Sequence, residues 1–165
     1  HLGGGPGNDK MRGERGDDMM YGDSGNDDMT SGQGDDQLYG GSDDDTLQAG
    51  SGNDYLSGDG GSDLLRAGDG IDTLIGGNGS DTLVGGSGAD YFVFHSGSGS
   101  DTINDFRDNV DTLRFGPALA GSSVEAALAD ATQVGRNVVF NFGDGDIITV
   151  NRTTIAKLMN DIEII

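Results

Sequence analysis

Several residue classes are missing or scarce in this chain. Cysteine is absent from its 165 residues, which excludes disulfides and thiolate-bound metals. No apolar run approaches about 18 residues, so the sequence has no membrane-spanning segment, and its start has no signal-peptide pattern. Lysine and arginine number only 9 against 29 acidic residues. Without a basic patch to meet phosphates, nucleic acid is excluded as a partner.

The acidic residues are almost all of one kind. The net charge is −20, and the only glutamates are Glu14, Glu125 and Glu163. Aspartate, with its short side chain, favours turns and the coordination of hard cations. Glycine contributes 32 residues. This composition alone is typical of a flexible acidic linker, but the spacing of the residues contradicts that interpretation.

Ten nonapeptides follow one another without insertion from Gly4 to Val93. They read GGPGNDKMR, GERGDDMMY, GDSGNDDMT, SGQGDDQLY, GGSDDDTLQ, AGSGNDYLS, GDGGSDLLR, AGDGIDTLI, GGNGSDTLV and GGSGADYFV. The sixth position is always aspartate, and the eighth is always Met, Leu or Phe. Glycine departs from the first position at Ser31, Ala49 and Ala67, and from the second at Glu14, Asp23 and Asp59. Asp43 is the sole departure at the fourth position and places a side chain in a tight turn.

Each position of the nonapeptide has a physical interpretation. Glycines allow positive φ, so the backbone can turn its carbonyls toward one point. The aspartate adds a carboxylate to those carbonyls, and cages made only of oxygen suit Ca²⁺ rather than zinc or copper. The last three residues, such as Thr82, Leu83 and Val84, form a short strand with its middle side chain inward. The eighth-position residues are therefore expected to fill a core.

This pattern resembles the RTX (repeats-in-toxin) nonapeptide G-G-x-G-x-D-x-U-x, a calcium-binding repeat. The resemblance covers residues 4–93. It implies a chain dominated by β-structure: a right-handed parallel β-roll, which is a β-solenoid of nonapeptides. Two nonapeptides form one turn, each loop stacks on the loop 18 residues away, and calcium lies between the stacked loops. We expect this roll at 1–93, followed at 94–165 by a β-rich cap and secretion-signal region with one or two short helices.

The stacking predicts which aspartates share a calcium ion. The expected pairs are Asp9 with Asp27, Asp18 with Asp36, Asp27 with Asp45, Asp36 with Asp54, Asp45 with Asp63, Asp54 with Asp72, Asp63 with Asp81, and Asp72 with Asp90. The predicted carbonyl ligands are those of Gly4, Gly7, Gly22, Gly25, Gly40, Gly58, Gly76, Gly79, Gly85 and Gly88. About eight to ten Ca²⁺ ions are expected, and they would offset most of the charge of −20.

The repeat becomes irregular after Phe94. GSGSDTINDF (97–106) continues it with a two-residue insertion, so Asp101 is expected to close the site begun by Asp81. The next segment, 105–115, carries Asp105, Asp108 and Asp111 and is either an irregular calcium site or a polar turn between strands. Residues 122–133 and 153–161 are predicted to be short helices, 137–150 a hairpin around Gly143-Asp144-Gly145, and 162–165 a final strand.

The order of these elements is similar to the C-terminal part of secreted RTX proteins. The resemblance implies export by a type I secretion system and an extracellular location, and the ending DIEII (161–165) is similar to such C-termini. Leu2 occupies the eighth position of a preceding copy, so we expect the chain to be a fragment of a longer protein.

Three classes of function follow. The first is a module that folds on calcium outside the cell and assists the export of a larger protein. The second is an enzyme, but His1 and His95 are not in H-E-x-x-H and no G-x-S-x-G exists, so any catalytic domain is expected outside this fragment. The third is a non-catalytic module that binds a polysaccharide or a surface through ninth-position residues. Arg12, Thr30, Gln48 and Arg66 should share one face, and Tyr21 and Tyr39 the other.

Overall fold

Strands dominate the computed structural model, which describes residues 1–120 and 123–165. About 57% of the chain is strand and 8% is helix, and the strands build a parallel β-solenoid of about 6 turns. The repeat region holds β1 (Leu2–Pro6), β2 (Lys10–Arg15), β3 (Met19–Ser24), β4 (Asp28–Gln33), β5 (Gln37–Ser42), β6 (Thr46–Ser51), β7 (Tyr55–Gly61), β8 (Leu64–Asp69), β9 (Thr73–Gly79), β10 (Thr82–Ser87) and β11 (Tyr91–Phe94). The predicted β-roll is confirmed.

Successive strands alternate between two sheets. One sheet has the order β1-β3-β5-β7-β9-β11, and the other contains β10-β8-β6-β4-β2. Neighbours within a sheet are parallel and 18 residues apart, as in the register Leu38↔Leu56 and Leu47↔Leu65. Each turn of the solenoid therefore consumes two nonapeptides, one in each sheet.

The core lies between the two sheets and is filled by the eighth-position residues. Nine of these ten side chains are completely buried, and Met11 is 7% exposed. First-position residues such as Ala49 and Ala67 point into the same narrow space. Because a strand alternates its faces, one apolar residue in the eighth position and one small residue two positions later suffice to fill this core.

The second and fourth positions both turn the chain with positive φ. All ten residues at each of these positions have φ between 68° and 146°, including the acidic Glu14, Asp23, Asp43 and Asp59. Asp43 has φ 80° without a break in register, and its carboxylate accepts from the Gly25 N–H at 3.2 Å. The expected disturbance at Asp43 is thus absorbed, because the left-handed conformation is costly for a side chain but not forbidden.

The C-terminal part extends both sheets and then covers them. Its elements are β12 (Ser100–Ile103), β13 (Thr112–Phe115), α1 (Pro117–Ala120), α2 (Val124–Ala129), β14 (Ala131–Val134), β15 (Asn137–Gly143), β16 (Asp146–Val150), α3 (Ile155–Leu158) and β17 (Ile162–Ile164). β12 adds to β10 and β13 adds to β11, both in parallel. β16 and β17 then add to β12 and β13, so both sheets run without interruption past residue 93.

The predicted elements of the cap are present, but both predicted helices are shorter, since the one expected at 153–161 is α3 at Ile155–Leu158. β15 and β16 form the antiparallel hairpin, and β17 is the final strand. The first predicted helix, 122–133, includes residue 122, which lies outside the described residues. The helix α2 ends at Ala129 rather than at residue 133. The strand β14 begins at Ala131, because this segment pairs with β15. The helix α1 was not predicted. The aromatic ring of Phe115 lies 5.9, 5.3 and 5.2 Å from those of Phe94, Phe140 and Phe142, which closes the core at this end.

Candidate calcium sites

Two rows of aspartates run along the solenoid, one beside each sheet. The first row contains Asp9, Asp27, Asp45, Asp63, Asp81 and Asp101. The second row contains Asp18, Asp36, Asp54, Asp72, Asp90 and Asp111. From Asp27 and Asp36 onward, every member is at most 3% exposed. We call the space between two consecutive members of a row a gap, and each row has five gaps.

One carboxylate oxygen of each aspartate connects it to the preceding turn. The Asp9 N–H donates to Oδ1 of Asp27 at 2.7 Å, and the same bond recurs in all ten gaps at 2.7–3.2 Å. All eight pairs expected from the spacing are brought together in this way. Asp101 joins Asp81 at 3.1 Å across the two-residue insertion, as the sequence predicts.

The other carboxylate oxygen has no hydrogen-bond partner. Oδ2 is buried and unpartnered in every row member except Asp111. A buried carboxylate oxygen without a donor is costly, because desolvation disfavours the charged form. The two rows therefore present a series of oxygens that a proton or a cation would stabilise.

The pKa values of these carboxyls reflect the cost of burying their negative charge. Burial raises the pKa from an ordinary 3.8 to about 6 in Asp45, Asp54 and Asp90, to about 7 in Asp63 and Asp72, and to about 8 in Asp101. The hydrogen bond from the preceding turn lowers each pKa, while neighbouring row carboxylates raise it again. Burial therefore disfavours the charged form of these carboxyls at neutral pH, and a bound cation would offset that cost.

Backbone carbonyls approach the same unpartnered oxygens. A Cβ placed on Gly4 would lie 2.8 Å from Asp9 Oδ2 and 3.0 Å from the Gly22 carbonyl oxygen. A Cβ on Gly13 would lie 2.5 Å from Asp18 Oδ2 and 3.0 Å from the Ser31 carbonyl oxygen. In later copies, a Cβ on the first-position glycine would likewise lie close to the carbonyl oxygen of the first-position glycine of the next turn, namely that of Gly40, Gly58 or Gly76. Carboxylate and carbonyl oxygens thus face one small cradle, which is the donor set that Ca²⁺ prefers.

The cradle differs from a metal site built from side chains. Within residues 1–120 and 123–165, no three histidine or carboxylate side chains converge on one point. A gap offers two carboxylates, so the remaining ligands of an ion there would be carbonyl oxygens. Such oxygen-only coordination fits Ca²⁺ and does not fit metals that need nitrogen or sulfur ligands.

The sequence profile of the RTX calcium-binding nonapeptide repeat (4 copies) matches residues 3–38, 30–65, 39–74, 57–92 and 66–103. These matches cover more than half of the chain and end where Asp101 closes the first row. This chain belongs to the RTX calcium-binding repeat family.

Two solved structures are similar to this RTX chain, and the first of them shares its fold. An extracellular lipase, LipA from Serratia marcescens, matches at 18% identity and a TM-score of 0.52, over 96% of this chain and 40% of the lipase. The chain thus spans less than half of that lipase. The AlgE6R3 subunit of the Azotobacter vinelandii mannuronan C5-epimerase matches at 26% identity and a TM-score of 0.42, over 92% of this chain and 80% of that subunit. No curated protein matches the chain in sequence.

The three aspartates of the irregular segment of the RTX chain have different surroundings. Asp105 accepts from the N–H groups of Gly85 and Gly86 at 3.0 and 2.8 Å. Asp108 lies 3.4 Å from the Lys157 ammonium. Asp111 continues the second row. Asp105 is thus satisfied by backbone donors, whereas Asp108 Oδ1 is buried without a hydrogen-bond partner. The irregular calcium site at Asp105, Asp108 and Asp111 stays a prediction.

A second ladder escaped the sequence prediction. In the fifth position, the Asn8 carboxamide accepts from the Asn26 N–H at 3.1 Å, and Asp35 accepts from the Asn53 N–H at 2.7 Å. Similar bonds join Asp17 to Asp35, Asp44 to Ser62 and Asn53 to Ile71. The signal was available, because the fifth position is Asn or Asp in the first six copies. This second ladder of hydrogen bonds stabilises the outer rim of the loops. It does not use the row aspartates, which stay available to an ion.

Of the two histidines considered for catalysis, His1 is the first residue, and its terminal amine lies 3.8 Å from Asp18. His95 is exposed and lines a shallow pocket of about 150 Å³ with Ile75, Val93 and Ser98. None of the described helices is long and apolar enough to cross a membrane. The repeat module is of a non-catalytic type.

Proposed function

We propose that this chain is a module that folds when calcium fills the gaps of its two aspartate rows, after type I secretion of a larger protein. The observation that carries the proposal is the series of buried, unpartnered Oδ2 atoms, which repeats once per nonapeptide. The aspartates of both rows, with first- and fourth-position carbonyls, are the proposed ligands. The ten gaps agree with about eight to ten ions.

Calcium would supply the free energy of folding. Without the ion, carboxylates of like charge are stacked in a low-dielectric environment, and thirty-two glycines lose much conformational freedom when they are ordered. The two sheets bury only one narrow core to offset these costs. Because the cradle does not exist in the unfolded chain, the free energy of binding becomes free energy of folding.

The concentration dependence of this folding suits export. Extracellular modules bind calcium at about 10⁻⁴ to 10⁻³ M. The calcium concentration in the cytosol is far below this range, so a chain in the cytosol would not be loaded. The chain would stay open during its passage through the secretion machinery and fold on the far side. Folding outside the cell would then oppose its return and stabilise an upstream domain.

Equilibrium dialysis against buffered calcium tests the binding part of the proposal. We expect about eight to ten ions per chain at saturation, because the two rows contain ten gaps. Magnesium at the same concentration should not displace them, because Mg²⁺ requires a tighter octahedral site. Uptake of only one or two ions would contradict the proposal.

The export part needs a separate measurement. The chain with a reporter upstream would be co-expressed with a type I exporter, with 2 mM or with chelated calcium outside the cell as the chosen conditions. Export that depends on external calcium, and on Asp63 and Asp72 in the rows, supports the proposal. Equal export of a variant with both residues changed to asparagine would contradict the role of the rows in secretion.

A second candidate function rests on the outer face of one sheet. All four tyrosines, Tyr21, Tyr39, Tyr55 and Tyr91, point outward from the sheet that contains β3, β5, β7 and β11. The rings of Tyr21 and Tyr39 are stacked at 5.0 Å, and Tyr55 lies 5.6 Å from Tyr39. Tyr39 and Tyr55 line an open cleft of about 480 Å³ with Gln37 and Thr73.

Aromatic rings beside hydrogen-bonding side chains favour a polysaccharide, because sugar rings stack on tyrosine. The predicted division of faces agrees with the register, in which Tyr21 is opposite Tyr39 while Arg12 and Arg66 are in the other sheet. Binding of a neutral and an acidic polysaccharide would be measured in saturating calcium. Loss of binding in Tyr39→Ala, with binding retained in Arg66→Ala, supports this candidate; equal binding by both variants contradicts it.

A further inference from the structure

The last gap of the second row already contains a cation. Nη2 of Arg107 lies 3.1 Å from Asp111 Oδ1 and 3.5 Å from Asp90 Oδ2. The same nitrogen donates a hydrogen bond to the Gly88 carbonyl. The Arg107 side chain is 38% exposed, whereas those of Asp90 and Asp111 are 1% and 2% exposed. The guanidinium therefore enters the gap from its open side.

Two of the three oxygens around Nη2 belong to the proposed donor set of the repeats, and the third makes the register hydrogen bond. Asp90 supplies the sixth-position Oδ2 that is unpartnered in the earlier copies. Asp111 supplies the Oδ1 that accepts from the Asp90 N–H at 3.2 Å, as in every other gap. Gly88 is the fourth-position residue of the last nonapeptide. By repeat equivalence, Arg107 contacts one carboxylate oxygen, Asp90 Oδ2, and one carbonyl, that of Gly88, whose counterparts in the earlier copies are proposed to hold calcium.

The spacing of the sequence explains how an arginine reaches this place. Asp90 and Asp111 are 21 residues apart instead of 18. The longer connection forms a turn in which the N–H groups of Val110 and Asp111 donate to the Arg107 carbonyl at 3.2 and 2.9 Å. The Arg107 N–H in turn donates to Asp111 Oδ2 at 2.7 Å. Both oxygens of Asp111 thus have partners, and this is the one row member without a free Oδ2.

The other gaps have no such cation. Among the described residues, the only other positive group within 4 Å of a row carboxylate is the terminal amine of His1, 3.8 Å from Asp18 at the opposite end. The first row ends differently, because Asp101 Oδ2 is buried and unpartnered. The two rows therefore have unlike ends beside the cap.

We propose that the Arg107 guanidinium replaces calcium in the gap between Asp90 and Asp111, and that this end of the second row is ordered before calcium binds. This inference rests on the proposed calcium sites in the other gaps. A guanidinium stays protonated at every physiological pH, so it keeps the last gap closed whether or not calcium is present. The remaining nine gaps are open to the ion, and they begin next to a preformed turn.

Anomalous diffraction from calcium-saturated crystals of the full chain tests the occupancy directly. We expect calcium peaks in the open gaps and none between Asp90 and Asp111. In Arg107→Gln, dialysis should detect one more ion per chain, and Arg107→Lys should keep the wild-type count because it keeps the charge. Calcium in the last gap of the wild type, or an unchanged count in a folded Arg107→Gln protein, would overturn the inference.

Hydrogen exchange covers the case in which Arg107→Gln does not fold. In chelator, the wild-type amides of Asp90, Arg107 and Asp111 should exchange at least about tenfold more slowly than those of Asp36 and Asp54, because their acceptors are held by Arg107. Equal exchange in the two groups overturns the preordered end. A wild type that takes up no calcium at all would instead contradict the proposed function, so the two failures are distinguishable.

Discussion

The Asp63 N–H donates to Oδ1 of Asp81 at 2.8 Å, while Oδ2 of the same Asp81 carboxylate is buried without a partner. One side chain thus performs two tasks. One oxygen fixes the register between turns, and the other faces a cradle of carbonyl oxygens. Because every row aspartate belongs to two gaps except at the row ends, the loss of one carboxylate should disturb both neighbouring turns.

Asp63→Asn tests this double role in the middle of the first row. The carboxamide keeps an oxygen for the Asp45 N–H, which donates at 2.7 Å, but it removes the charge and places a donor toward the ion. We expect the calcium concentration at half-folding to rise about 1.3- to 2-fold, since the loss of one charged ligand interaction costs about 1.5–3 kcal/mol and this cost is spread over the about eight to ten ions bound on folding. Calcium titration followed by circular dichroism measures the shift. Asp144→Asn, with the same charge change in an exposed turn, should not move the midpoint.

The raised pKa values predict an inverse pH dependence without calcium. The folded pKa values of about 6 to 8 exceed the ordinary 3.8, so the folded chain binds more protons than the unfolded chain between these values. The stability contributed by these carboxyls is present below pH 4 and is lost as the pH rises through 6 to 8. In chelator, strand signal should therefore increase from pH 8 to pH 4.

Calcium should reverse that trend, because it binds only ionised carboxylates and must displace protons. The calcium concentration needed for folding should rise as the pH falls from 8 to 6. The two series are measured by circular dichroism on the same preparation. A chain in chelator that loses strand signal on acidification toward pH 4 would contradict the burial of these carboxyls.

Gly70→Ala and Gly7→Ala separate backbone strain from steric conflict. Both are fourth-position residues with positive φ, at 146° and 113°. A Cβ on Gly70 would collide with the Gly52 carbonyl of the preceding turn, whereas one on Gly7 meets nothing within 4 Å. We expect each variant to lose about 1–3 kcal/mol from strain, and Gly70→Ala to lose clearly more. Urea unfolding in saturating calcium measures both, and equal losses would contradict the stacked turns.

The cap should be needed for the roll to be stable. Phe115 is fully buried among three other phenylalanines, so Phe115→Ala should lower the free energy of unfolding by about 3–5 kcal/mol even in saturating calcium. Val134 is 56% exposed, and Val134→Ala should change stability little. Urea unfolding distinguishes the two. A small loss for Phe115→Ala would mean that the roll does not depend on closure at this end.

The repeat made most of the roll predictable. Because a nine-residue period leaves one strand and one turn per copy, the spacing determined the partners Asp63 and Asp81 as well as the inward Leu83. The ion itself followed from the residue types, since aspartate and backbone carbonyls offer only oxygen. The occupancy of each gap stays a prediction.

The irregular region was less predictable because its contacts join residues far apart in the sequence and each contact occurs only once, so no repeat reveals it. The sequence left Asp105 in either an irregular calcium site or a polar turn, and it could not show that this carboxylate accepts two backbone N–H groups from the loop about twenty residues earlier. Asp146, which no pattern singled out, does the same for Gly97 and Gly99 at 3.0 and 2.9 Å. Arg107 gave no signal either, since one arginine in a turn has no period. Helix propensity also overestimated α2, which the pairing of β14 with β15 cuts short.

The central claim is that calcium drives the folding of the two rows, and far-ultraviolet circular dichroism during a calcium titration tests it most directly. The protein would start in chelator at pH 7.5 as the chosen condition, with magnesium as the control ion. The account predicts a largely disordered spectrum that becomes strand-rich near 10⁻⁴ to 10⁻³ M calcium, the range typical of extracellular modules, and not with magnesium. A chain that is already fully strand-rich in chelator at neutral pH would contradict it.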